Sequence, residues 1–108
     1  MFCIVLTSCP PDRGDAIAAA LVEARVAACV SQLRGAVSTY RWDGAVCHEA
    51  ETLLLIKTPR DCLDACTAAL RGVHPYEVPE IVVLHAADVA SSYLAWAQAA
   101  CAVPTLDS

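Results

Sequence analysis

The dipeptide Asp43-Gly44 follows Val37-Ser38-Thr39-Tyr40-Arg41-Trp42, a run with a two-residue period and several β-branched and aromatic side chains. Asp-Gly accepts the positive φ angles of a two-residue type I′ turn, so the chain must return directly alongside as an antiparallel hairpin. The returning strand extends to Leu53-Leu54-Leu55-Ile56-Lys57, and the outgoing one begins at about Cys29. Fourteen residues from Cys29 to Trp42 span about 46 Å at ~3.3 Å each, whereas a domain of this length has a radius of gyration of only ~13 Å. The tip must therefore overhang the core, somewhat shortened if Gly35 introduces a bulge. An overhanging ribbon that carries Tyr40 and Trp42 exposes aromatic surface and open strand edges, which soluble proteins normally cover. Another subunit is the expected cover, with Tyr40 and Trp42 at its interface.

Other elements flank the hairpin. Phe2–Leu6 is a continuous apolar run and reads as a buried strand. Pro10, Pro11 and Asp12 break it and start a helix whose apolar face is Ile17, Ala20, Leu21, Ala24 and Ala28. Thr58-Pro59 reads as N-cap and first helical position of a second helix, with Leu63, Cys66, Leu70 and Val73 on one face and Gly72 as its stop. His74-Pro75-Tyr76-Glu77-Val78-Pro79 cannot be helical, because each proline lacks a donor and forces its predecessor into extended geometry. Ile81–Leu84 forms a fourth strand. Ser91-Ser92 caps a last helix carrying Tyr93, Leu94, Trp96, Ala97 and Cys101, and Pro104 ends the folded part. The order β-α-β-β-α-β plus a terminal helix is the split βαβ arrangement of an α+β, ferredoxin-like sandwich. One domain, residues 1–103, with a short tail at 104–108, accounts for the chain.

The 108 residues are 57% apolar, enough for one core. Seven basic against twelve acidic residues give a net charge of -5, with the basic residues scattered, so nucleic acid is not an expected partner. No apolar stretch approaches the ~18 residues of a membrane span, and Met1–Leu6 lacks the basic start of a signal peptide. Seven cysteines, an odd number with no Cys-x-x-Cys spacing, read as reduced thiols in the cytoplasm.

Several blocks, in order, resemble the CutA family of divalent-cation tolerance proteins. They are Val26-Ala27-Ala28-Cys29-Val30, Tyr40-Arg41-Trp42-Asp43-Gly44, Leu55-Ile56-Lys57-Thr58, His74-Pro75-Tyr76-Glu77-Val78-Pro79-Glu80-Ile81 and Tyr93-Leu94-Ala95-Trp96. The resemblance implies a ferredoxin-like homotrimer similar in architecture to PII-type signalling proteins. It also implies a role in tolerance of copper or another divalent cation. The chain departs from the family pattern at Arg34, where proline is common, and in its extra cysteines and His48, so no metal-ligand set is carried over.

The candidate ligand cleft comprises Trp42, Lys57, His74, Tyr76 and Trp96, expected to meet between subunits. Each residue has a plainer reading. His74 and Tyr76 sit in a rigid connector and either bind a ligand or lock the turn. Lys57, the sole lysine, either meets an anion or ends a strand in solvent. Trp42 and Trp96 either wall a pocket or pack an interface. For a soft ion such as Cu(I), the thiol candidates are Cys29, then Cys62 with Cys66 at i, i+4 on one helix. Core packing is the alternative for all three. His48, Cys47 and Glu49 are consecutive and point to opposite faces of a strand, a poor ligand set. No cofactor is expected to be required.

Enzymes of related fold find little support. Acylphosphatases need an Asn that this chain lacks entirely. The loop Thr7-Ser8-Cys9-Pro10-Pro11 lacks the two-cysteine motif of copper chaperones, and no Gly-rich phosphate loop occurs. The expectation is a binding or signalling module rather than an enzyme. The alternative is an uncharacterised small-molecule enzyme using His74, Tyr76 and Lys57 in an intersubunit site.

Overall fold

A computed structural model describes residues 1–101. The elements run β1 (Phe2–Cys9), α1 (Gly14–Glu23), β2 (Cys29–Trp42), β3 (Ala45–Pro59), a 3-10 turn (Arg60–Cys62), α2 (Leu63–Val73), β4 (Val82–His85) and α3 (Ser91–Cys101). The sheet order is β2-β3-β1-β4, antiparallel throughout. This is the expected α+β split βαβ sandwich. The boundary at 103 and the tail at 104–108, with Pro104, lie outside the described residues.

Alternation along the strands separates two faces. Cys3, Val5 and Cys9 of β1 and Leu54 and Ile56 of β3 bury against Ile17 and Leu21 of α1 and Leu63, Cys66 and Leu70 of α2. On the other face Ile4 pairs with Lys57 and Leu84, and Leu6 with Leu55 and Val82. That face is open over much of its area: Leu33 and Leu84 are each 49% exposed and Val82 42%. Helix α3 covers only the Phe2 end, where Phe2, Ala28, Ala97 and Cys101 form a second cluster.

The hairpin forms as the turn chemistry requires. Asp43 and Gly44 have φ of 54° and 79°, and Trp42 pairs with Ala45 across the two-residue turn. Gly35, at φ 85°, sits in the bulge between Leu33 and Ala36. The overhang lengthens the molecule to 52 × 29 × 21 Å and raises its radius of gyration to 14.9 Å, above the ~13 Å of a compact domain.

Several boundaries differ from the sequence expectation. Strand β1 continues through Thr7-Ser8-Cys9 because these residues pair with Leu54, Leu53 and Thr52 of the long β3. Thr58 and Pro59 are strand residues, paired with Cys3 and Phe2. The Thr58 hydroxyl donates to the Val26 carbonyl at 2.8 Å instead of capping a helix. Helix α1 stops before Ala28. Arg25 takes the left-handed conformation at φ 61°, and the Val26 and Arg25 amides close back on Leu21 and Val22, a Schellman ending. Gly72 lies inside α2, and the stop is His74, extended at ψ 132° ahead of Pro75. At α3 the Leu94 amide donates to the Ala90 carbonyl, so Ser91 and Ser92 fall within the first turn.

Candidate functional site

The bulge at Gly35 decides where the aromatic residues of β2 point. Leu33 faces Leu53 and Ala36 faces Glu51, so β2 passes two residues where β3 passes one. The extra residue shifts the phase, and Ala36, Ser38, Tyr40 and Trp42 share with Leu33 the side of the sheet opposite α1 and α2. Beside them the connector 74–80 folds over the end of β1. The resulting cavity of about 360 Å³ is walled by Tyr40, Trp42, Tyr76 and Val78, with Ser8, Ser38, Glu51, Glu77 and Glu80 supplying its polar groups. Three carboxylates and no Lys or Arg line it.

Hydrogen bonds fix this arrangement. The Tyr76 hydroxyl donates to Glu51 Oε2 at 2.6 Å, and Glu51 is only 5% exposed. Burial, then the hydrogen bond and charge of Glu51, push the Tyr76 hydroxyl well above the usual phenol range. The Ser8 hydroxyl donates to Glu80 Oε1 at 3.0 Å. His74 lies behind the wall, 8% exposed, with its ring 4.9 Å from that of Tyr76. Its Nε2 donates to the Ser8 carbonyl at 2.9 Å, and its Nδ1 accepts the Tyr76 amide at 3.2 Å. A carbonyl only accepts and an amide only donates, so the tautomer is fixed with hydrogen on Nε2. Both ring nitrogens are engaged by backbone.

Within one chain the five cleft candidates fall into two groups. Trp42 and Tyr76 line the cavity, with His74 supporting Tyr76. Lys57 lies toward the other end of β3, where its Nζ donates to Ser31 Oγ at 2.7 Å and approaches Cys29 Sγ at 4.0 Å. Twelve residues separate Lys57 from Ala45, the partner of Trp42, or roughly 40 Å along the strand. Trp96 belongs to the α3 end, 5.5 Å from the Tyr93 ring, which packs edge-on to Phe2. Glu51, Glu80 and Ser8 were missed from sequence. Glu51 carries the one available signal, as a charged residue just before the apolar end of a strand.

All seven cysteines are free thiols. Cys29 is half-buried beside the Lys57 ammonium. Cys62 does not share a helical face with Cys66, because it lies in the 3-10 turn and packs with α3, whereas Cys66 is fully buried in the main core. Burial first, then Cys101 and Cys62, push the Cys66 thiol up to about 12. His48 bonds to Thr39 on one face of the hairpin while Cys47 faces Tyr40 on the other. Among the described residues, no group of three or more His, Cys, Asp or Glu side chains is placed to hold a metal ion.

The family described as CutA1 divalent ion tolerance protein matches residues 3–100 of the chain. The chain belongs to the CutA1 family. A divalent-cation tolerance protein CutA from Thermus thermophilus is 43% identical over 86% of the chain and 91% of the relative. The crystal structure of CutA from Xylella fastidiosa superposes with a TM-score of 0.90 at 36% identity, covering 94% of this chain and 98% of that one. A structure described as PII-like protein CutA from Nostoc superposes at 0.88 with 33% identity over 93% and 97% of the two chains. The relatives carry the name of tolerance proteins, and the fold is that of CutA and PII-like proteins.

Proposed function

We propose that this CutA1 member acts as a homotrimeric binding or signalling module in copper or other divalent-metal tolerance, and that its ligand site is the cleft at the base of the hairpin. The observation that carries this is the open apolar sheet face, Leu33, Val82 and Leu84 with half-buried Ile4, Leu6, Leu53 and Leu55, continuing directly into the cleft wall at Tyr40 and Trp42. A contiguous apolar surface next to a concave acidic and aromatic cavity is what an assembling, ligand-binding protein needs. Association also supplies the way for Trp42 of one chain to approach Lys57 and Trp96 of a neighbour, since roughly 40 Å of strand separates Trp42 from Lys57 within a chain.

Binding fits the geometry better than catalysis. A general base needs a free lone pair within reach of substrate, and His74 spends both ring nitrogens on backbone. The seven reduced thiols fit a cytoplasmic protein. Copper or another divalent cation is then a signal or a weakly held ligand, with none required for folding.

The test combines native mass spectrometry with growth. Purified protein should carry a small ligand that is lost in Trp42→Ala and Glu51→Gln, and cells lacking the chain should grow worse in graded copper until wild type, but not those variants, is restored. Unliganded wild-type protein, or full rescue by both variants, would reject the cleft as the working site.

A further inference from the structure

The cleft at the base of the hairpin carries charge of one sign. Glu51, Glu77 and Glu80 line it with no Lys or Arg beside them. Glu49, opposite Ser38 and two residues before Glu51 on β3, faces the same side of the sheet. Glu51 is the member that packing does not explain. It is 5% exposed, yet among the described residues the one hydrogen bond it receives comes from the Tyr76 hydroxyl, on Oε2. No donor meets Oε1. A carboxylate buried this far without a counterion is costly, and one kept at a cavity wall leaves a place for a cation to fill.

The rest of the wall indicates which kind of cation. These carboxylates share one cavity, but among the described residues no three such side chains come together to hold a metal ion. A cation that reaches more than one of them must be extended. The rings of Tyr40, Trp42 and Tyr76 and the side chain of Val78 stand between the carboxylates. Aromatic rings attract ammonium groups, and the same apolar surface accepts a carbon stem. The volume of about 360 Å³ falls within the roughly 300–1,000 Å³ of small-molecule pockets. We propose that the cleft binds an organic cation, a small aliphatic amine whose ammonium groups pair with Glu51 and with Glu77 or Glu80 while its carbon stem packs on Tyr40 and Trp42. The proposal rests on the reading of the cleft as the ligand site and gives that ligand its chemical class. A phosphate or carboxylate ligand would meet only like charge there.

Full-length protein is titrated calorimetrically with probes that share one carbon stem and differ in charge: 1,4-diaminobutane, 1-butanol and butyrate. The diamine should bind wild type at least ~10-fold more tightly than butanol, and butyrate should not bind. This comparison needs no variant, so a folding defect cannot mask it. Glu51→Gln keeps an acceptor for Tyr76 but removes the charge, and should weaken diamine binding by ~10-fold or more. Glu23→Gln, outside the cleft, should bind as wild type does. If butanol or butyrate binds as well as the diamine and Trp42→Ala abolishes that binding, the cleft stands as a ligand site and the cation assignment falls. Diamine binding seen only in Lys57→Ala would mean that the lysine of a neighbouring copy already fills the cleft, and overturns the proposal. If no probe binds and the purified protein carries no ligand, the reading of the cleft as the ligand site falls with it.

Discussion

The Tyr76 hydroxyl and Glu51 Oε2, 2.6 Å apart, join the proline-bounded connector to β3 at the wall of the cleft. Tyr76→Phe leaves that carboxylate without its donor and should cost about 1.5–3 kcal/mol, the usual range for a hydrogen bond to a charged group. Urea unfolding measures the loss. The same variant should remove the most alkaline tyrosine step from an ultraviolet titration, because burial and Glu51 raise the Tyr76 pKa.

Cys66 makes stability fall at alkaline pH. Its folded pKa of about 12 exceeds the ordinary thiol value of 9.0, so the unfolded chain loses this proton first. The contribution is complete below pH ~9 and is lost progressively as pH rises toward the folded value. Cys66→Ala should lower stability at neutral pH by leaving a void and flatten the decline above pH ~9, as followed by denaturant unfolding across that window.

Gly44 is held by backbone geometry alone. Its φ is 79° and a Cβ there would meet nothing within 4 Å, so any penalty for a side chain arises from the left-handed conformation. Gly44→Ala should destabilise by about 1 kcal/mol, and a β-branched residue by more. Thermal unfolding provides the comparison. Gly72→Ala should be neutral or slightly stabilising, because that position is helical, exposed and open.

The hairpin was legible because its turn, bulge and strand lengths are local properties. Asp43-Gly44 and Gly35 carry their conformations in residue type. Thr58-Pro59 was misread because the same dipeptide suits a helix start and a strand end, and only pairing with Phe2 and Cys3 across the sheet decides between them. The cleft was half legible. Trp42 and Tyr76 stand out as aromatic residues in distinctive surroundings, but Glu51, Glu80 and Ser8 join them only through the fold of the connector over β1. Cys101 illustrates the same limit, since its nearness to Cys62 depends on how α3 docks.

Leu33, Val82, Leu84, Tyr40 and Trp42 are each at least 40% exposed in the single chain, and association of three copies would cover them. Sedimentation equilibrium at micromolar concentration tests it directly. The prediction is one species of 3 × 11.4 kDa that dissociates or aggregates in Tyr40→Asp, where a charge would be buried without a partner. A stable, monodisperse species at the single-chain mass of 11.4 kDa would contradict it.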